Sequence, residues 1–123
     1  MQGMINGKIW GLTKCLFVND NFEVHRIEIK KDSKCSKHLH KYKHNIFYVE
    51  FGQVTIRVWK NDYDLVDETL LISGDIMDVA PGEYHQFETA GYPATVYEIY
   101  YSEPISGDIV RDGVGGKIKK VIK

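Results

Sequence analysis

Three of the chain's five histidines, His38, His40 and His44, fall inside the stretch KHLHKYKHNIFYVEFG from Lys37 to Gly52. Imidazole is neutral over most of the physiological range and is a common donor to transition metals. His38 and His40 are two positions apart. On an extended chain alternate side chains share a face, with Cα atoms about 6–7 Å apart, so two such rings can converge on one ion. His44 follows beyond the turn-forming Lys41-Tyr42-Lys43, and a fourth donor, His85, stands in APGEYHQF just after a Pro81-Gly82 turn. If a sheet closes into a barrel, the strand that His85 begins returns beside the first two ligands. The same spacing also suits a wet loop, since Lys37, Lys41 and Lys43 flank the histidines. His25 is isolated on another strand and reads as a surface or core histidine.

The elements that must position these groups are strand-like nearly throughout. QVTIRVWK (53–60) alternates Val54, Ile56 and Val58 with polar Thr55 and Arg57, the period of a half-buried strand. FEVHRIEIK (22–30) opens with Phe22 and Val24, shifts phase, and continues with Ile27 and Ile29. NIFYVEFG (45–52), DLVDETLLI (64–72) and ATVYEIYYS (94–102) are rich in branched and aromatic residues. Turn signals separate them at Asp32-Ser33, Gly52-Gln53, Asn61-Asp62, Ser73-Gly74-Asp75, Pro81-Gly82 and Gly91-Tyr92-Pro93. Short strands with no helical period predict an all-β sandwich or barrel. The end, DGVGGKIKKVIK, has a different character, so the chain divides into a barrel over 1–112 and a Gly/Lys-rich tail over 113–123. That tail reads as frayed, or alternatively as a short edge strand lent to a neighbouring subunit.

A length of 123 residues suits one domain with a real core. No apolar run approaches the roughly 20 residues of a membrane-spanning helix, and the N-terminus lacks the layout of a secretory signal. A net charge of -1 argues against nucleic acid as a partner, because phosphate backbones demand a basic surface. Cys15 and Cys35 form no CxxC pair and read as free thiols of a reducing cytoplasm, with one disulfide between them as the alternative.

The residues around the histidines resemble a known family. HLHKYKHNIFYVEFG looks like the first cupin motif, a His-x-His pair followed by a carboxylate and then a glycine. GDIMDVAPGEYHQFET (74–89) looks like the second, with Gly74, Pro81, Gly82 and His85 in place, Ala80 where the motif has proline, and Thr89 where it has asparagine. More narrowly the chain resembles the C-terminal cupin domain of bifunctional mannose-1-phosphate guanylyltransferase/mannose-6-phosphate isomerase, the type II phosphomannose isomerases. The likeness includes Trp10-Gly11, FEVHRIEI from Phe22 to Ile29, both motifs, and GDIVRD from Gly107 to Asp112, but nothing of the nucleotidyltransferase half. It implies a small single-domain cupin, a double-stranded β-helix or jelly-roll barrel. It also implies a divalent transition metal (zinc, iron, manganese, nickel or cobalt) held by His38, His40, His44 and His85. The motif's carboxylate is missing: Lys43, His44 and Asn45 occupy its range, so His44 or Asn45 would replace it. A first shell without that carboxylate leaves the ion its full double charge.

The activity implied is sugar-phosphate isomerisation. A Lewis acid polarises the sugar carbonyl and a base moves a proton between adjacent carbons. Glu98 and Tyr100, which share a strand face, are the catalytic candidates, with Glu83 near the turn as another; burial in a barrel would raise the proton affinity of such a glutamate. Arg111 is the first choice for the substrate's phosphate, with Arg26 and Arg57 as fallbacks, because guanidinium matches phosphate in fork geometry. Two other classes compete. A histidine-only site with open positions also suits a non-haem metal dioxygenase, and a module whose metal is structural or lost would be a non-catalytic small-ligand-binding cupin. The expected partners are a small molecule and a second copy of the chain. Exposed sheet edges favour a homodimer, with ATVYEIYYS and GKIWGL as contributors.

Overall fold

The computed structural model describes residues 2–60, 65–102 and 114–118, and in them nine strands and no helix. The strands are β1 (Ile5–Lys8), β2 (Gly11–Val18), β3 (Phe22–Ile29), β4 (His44–Phe51), β5 (Gln53–Lys60), β6 (Leu65–Ile72), β7 (Ile76–Val79), β8 (Tyr84–Glu88) and β9 (Ala94–Tyr101). They form a six-stranded sheet in the order β1-β2-β3-β9-β4-β7 and a three-stranded sheet in the order β6-β5-β8. Every pairing is antiparallel.

Alternation builds the core between the two sheets. Ile27, Ile29, Phe47, Val49, Val79, Ala94 and Val96 point in from the larger sheet; Val54, Ile56, Val58, Leu71 and Phe87 meet them from the smaller. Trp10 closes one end of this layer with its ring edge-on to Phe87, centroids 4.9 Å apart. The chain passes from one sheet to the other at Gly52, the lone residue between β4 and β5. Its φ is +81°, and a Cβ there would stand 2.6 Å from the Pro93 carbonyl oxygen.

The expected strands are found, with small changes at their ends. β1, β2 and β7 are additions that the apolar pattern did not mark, because β1 is exposed along its length, β2 buries only Cys15 and β7 has only four residues. The expected phase shift inside 22–30 does not occur. β3 pairs with β9 in unbroken register, so His25 lies on the same inward face as Ile27 and Ile29, and Phe22 and Val24 are its outward residues. Register irregularities sit instead in β2, between Cys15 and Phe17, and in β4, between Val49 and Phe51. ATVYEIYYS, expected at a subunit edge, is the central strand β9, hydrogen-bonded to β3 and β4 on its two sides. The proposed boundary between barrel and tail lies outside the described residues.

Candidate metal centre and cavity

His38 and His40 do not belong to a strand. They lie on the extended link from β3 to β4, which is docked against β8 by isolated bridges. His38 N–H donates to the His85 carbonyl (3.1 Å) and His85 N–H donates back to the His38 carbonyl (2.8 Å). Two residues on, the N–H of Gly82 donates to the His40 carbonyl at 2.8 Å, so the Pro81-Gly82 turn fixes the second ligand as well. At the other end of the link, Thr89 ties it to β8: its hydroxyl donates to the Lys30 carbonyl (2.5 Å) and accepts from Ser33 N–H (3.1 Å).

This backbone clamp gathers three imidazoles. Ring centroids are 4.6 Å apart for His38 and His85, 5.3 Å for His38 and His40, and 5.4 Å for His40 and His85. One nitrogen of each ring falls in a group whose members all lie within 4.8 Å of one another. His38 Nδ1 is 2.8 Å from the Ser36 carbonyl and His85 Nδ1 is 3.0 Å from the Glu83 carbonyl. A carbonyl oxygen only accepts, so these Nδ1 atoms carry the protons and the Nε2 atoms offer lone pairs. Burial lowers the proton affinity of His40, assisted by His38, and pushes His85 down to about 4. Both rings are therefore neutral near pH 7, the form that binds metals.

Two further observations fit a cation here. His40 Nε2 is buried and has no hydrogen-bond partner among the described residues, an arrangement that costs free energy unless something occupies its lone pair. His85 Nε2 lies 3.2 Å from Asn45 Oδ1, while Asn45 Nδ2 donates to the Ile46 carbonyl. An acceptor thus faces an acceptor, a conflict that a shared cation removes. The donor set of imidazole nitrogens plus a carboxamide oxygen suits zinc, iron, manganese, nickel or cobalt without selecting among them.

His44 stands outside this set. β4 turns Asn45, Phe47 and Val49 inward, which sends His44 to the other face. There its ring stacks on Tyr101 at 4.7 Å, and its Nδ1 lies 3.3 Å from the Asp78 carboxylate. Of the two replacements considered for the missing carboxylate, only fully buried Asn45 faces the histidines.

Beside the cluster opens a cavity of about 940 Å³ whose wall includes His38, His25, Glu98 and Tyr100. β9 directs Ala94, Val96, Glu98 and Tyr100 inward, so a carboxylate and a phenol continue the core face of this strand into the cavity. Burial raises the proton affinity of Glu98, and hydrogen bonds with Tyr100 and Asn45 oppose that rise in part. Tyr100 donates to Glu98 Oε2 at 2.6 Å, and its own acidity is suppressed by burial and by the neighbouring carboxylate. His25 meets the Tyr100 ring edge-on at 5.7 Å, and burial lowers its proton affinity too. Continuing the period of Ile27 and Ile29 back by one step is the signal that marks His25 as a cavity residue.

The arginines are placed elsewhere. Arg26 points away from the cavity and is paired with Glu28 (3.0 Å) and Glu50 (3.6 Å) on the outer face of the larger sheet. Arg57 is held by Glu68 and Glu88 at 2.9 and 2.7 Å. Arg111 lies outside the described residues. Glu83, the other candidate base, pairs with Lys60 at 2.6 Å and does not line the cavity. Cys15 and Cys35 are free and buried, and burial raises the Cys35 thiol to about 12.

No family model matches the sequence, and no curated protein matches it. Solved structures do. KdgF from Halomonas sp. superposes with a TM-score of 0.69 at 12% identity, over 82% of this chain and 89% of that one. The cupin domain of Cnp3 from Schizosaccharomyces pombe gives 0.69 at 14% identity, over 80% and 69%. The capsular polysaccharide assembling protein CapF from Staphylococcus aureus gives 0.70 at 22% identity, over 84% of this chain but only 31% of that one. At such identities the likeness speaks for the fold alone, and the fold is that of a cupin barrel.

Proposed function

We propose that this cupin-fold protein binds a divalent transition metal through His38, His40 and His85, with Asn45 beside them, and isomerises a phosphorylated sugar. The observation that carries the reading is the convergence of three imidazoles, one with an orphaned buried nitrogen, beside a cavity that His38 lines and that also presents a carboxylate. A cation bound there would supply Lewis-acid polarisation of a sugar carbonyl. Glu98 is the group that takes a proton from one carbon and returns it to the next, because burial brings its proton affinity toward that of a working base. Tyr100 holds the Glu98 carboxylate by its 2.6 Å hydrogen bond and stays protonated while doing so. The polysaccharide-assembling neighbour lends the carbohydrate part of the reading a parallel. The free cysteines suit a cytoplasmic protein, and the exposed edge strand β1 suits a homodimer.

The test joins two measurements. Protein grown in metal-supplemented medium should carry about one divalent ion per chain and convert mannose 6-phosphate to fructose 6-phosphate in a coupled assay, and His40→Ala should remove both properties. Wild-type protein that binds no metal would end the reading. Oxygen chemistry is the second reading, favoured by the absence of a carboxylate from the three-histidine set. It predicts oxygen consumption with small diketones or thiols in place of sugar conversion.

A further inference from the structure

The cavity wall has an electrostatic asymmetry that the metal centre does not explain. Lys8, at the end of β1, and Lys34, on the link from β3 to β4, both line it. Neither has an acidic partner within ion-pair distance among the described residues. Lys34 pairs through its backbone with Glu88, yet the Glu88 carboxylate is committed to Arg57 at 2.7 Å. Among the described residues Glu98 is the one carboxylate that lines the cavity, and it is hydrogen-bonded to Tyr100. Arg26 and Lys43 are matched with glutamates, and what sets Lys8 and Lys34 apart from an exposed lysine such as Lys14 on β2 is that they line the cavity.

We propose that Lys8 and Lys34 form an anionic subsite that receives the phosphate monoester of the ligand while its sugar oxygens reach the histidine cluster. This rests on the reading that the cavity is where the ligand of that cluster binds. Two ammonium groups supply charge equal and opposite to a phosphate dianion. Residues such as Asn6, Ser36 and Gln86 add hydrogen-bonding capacity along the same wall. A cation at the histidines would make the cavity more positive still, so an anionic ligand is favoured at both ends. The subsite also gives the β1–β2 hairpin a role: it carries one of the two lysines over the cavity.

The experiment titrates the full-length protein, as purified and with its metal content measured, with inorganic phosphate, acetate and unphosphorylated mannose. Phosphate should bind more tightly than acetate. The double variant Lys8→Ala/Lys34→Ala should weaken phosphate about tenfold or more, as expected for losing two charge-assisted contacts, with metal content unchanged. Lys8→Arg/Lys34→Arg should keep most of the affinity, and Lys31→Ala, an exposed lysine outside the cavity, should have no effect. Phosphate binding that is the same in the double alanine variant and the wild type would overturn the subsite, as would acetate binding equal to phosphate. The isomerase reading fails separately. If phosphate binding depends on the two lysines but mannose 6-phosphate is not converted, the subsite stands without that reaction; if conversion proceeds with an unchanged KM in the double variant, the reaction stands without the subsite.

Discussion

At the scale of single residues, the decisive feature is that burial keeps two rings of the histidine cluster, His40 and His85, in the neutral form. His85 is 2% exposed, and its proton affinity falls from the ordinary 6.5 to about 4 because burial disfavours the charged ring. Between those values the unfolded chain binds more protons than the folded one. Stability is therefore complete above pH 6.5 and is lost as the pH falls toward 4. In metal-free protein the loss attributable to His85 should be roughly 1.4 kcal/mol for each pH unit across that window. Urea titrations at pH 7 and pH 5 will measure it, and His85→Gln should flatten the dependence; equal slopes in variant and wild type would contradict the assignment. His40 shifts in the same direction and adds to the effect. The same protons compete with a metal, so ion affinity should fall over the same range. Spacing put His38 and His40 on one face and offered His85 only if the sheet closed, and it could not show that His44 faces Asp78 and Tyr101 instead of the cluster. That outcome follows from the phase of β4, where Asn45 and Phe47 claim the inward face.

At the scale of elements, the site depends on two backbone devices. One is the pair of hydrogen bonds between His38 and His85, which joins an irregular link to the edge of β8. The other is the corner at Gly52, which lets β4 and β5 belong to different sheets without a longer loop. A side chain there would need φ near +81° and would meet the Pro93 carbonyl at 2.6 Å. Gly52→Ala should therefore cost at least about 2 kcal/mol, from the left-handed conformation together with the clash. Thermal or urea unfolding of the variant provides the check, and an unchanged midpoint would show that the corner relaxes freely. β5 was legible in full because it alternates cleanly and packs on one face. β1 was not, because an exposed edge strand carries no apolar period for a sequence reading to detect. β3 was found, but its phase was misjudged: the outward Phe22 and Val24 imitate a core face that belongs to His25, Ile27 and Ile29.

At the scale of the whole molecule, two sheets of unequal width enclose the core, and among the described residues no strand pairs with the β1 edge of the larger one. Met4, Ile5 and Ile9 are exposed there, at 46%, 60% and 98%. An exposed edge with apolar side chains is a surface that proteins ordinarily cover. Size-exclusion chromatography with light scattering should accordingly give a mass near twice 14.2 kDa, and substituting Ile5 and Ile9 by lysine should shift the protein toward the monomer. A single 14.2 kDa species for the wild type would remove the homodimer from the reading. β9, although dense in aromatics, takes no part in this edge because both of its sides are already paired.

Local patterns in the sequence were sufficient to specify an all-β chain, most strand positions, and histidines with metal-binding spacing, since alternation and turn chemistry act over a few residues. They could not decide which side chains share one point in space. His85 joins His38 and His40, Asn45 takes the inward place that His44 leaves, and Lys8 and Lys34 come to line one cavity only once the link from β3 docks on β8 and the β1–β2 hairpin is in place. Those juxtapositions depend on long-range pairing and on the phase of each strand, and a shift of one residue in either would send every side chain of the strand to the opposite face.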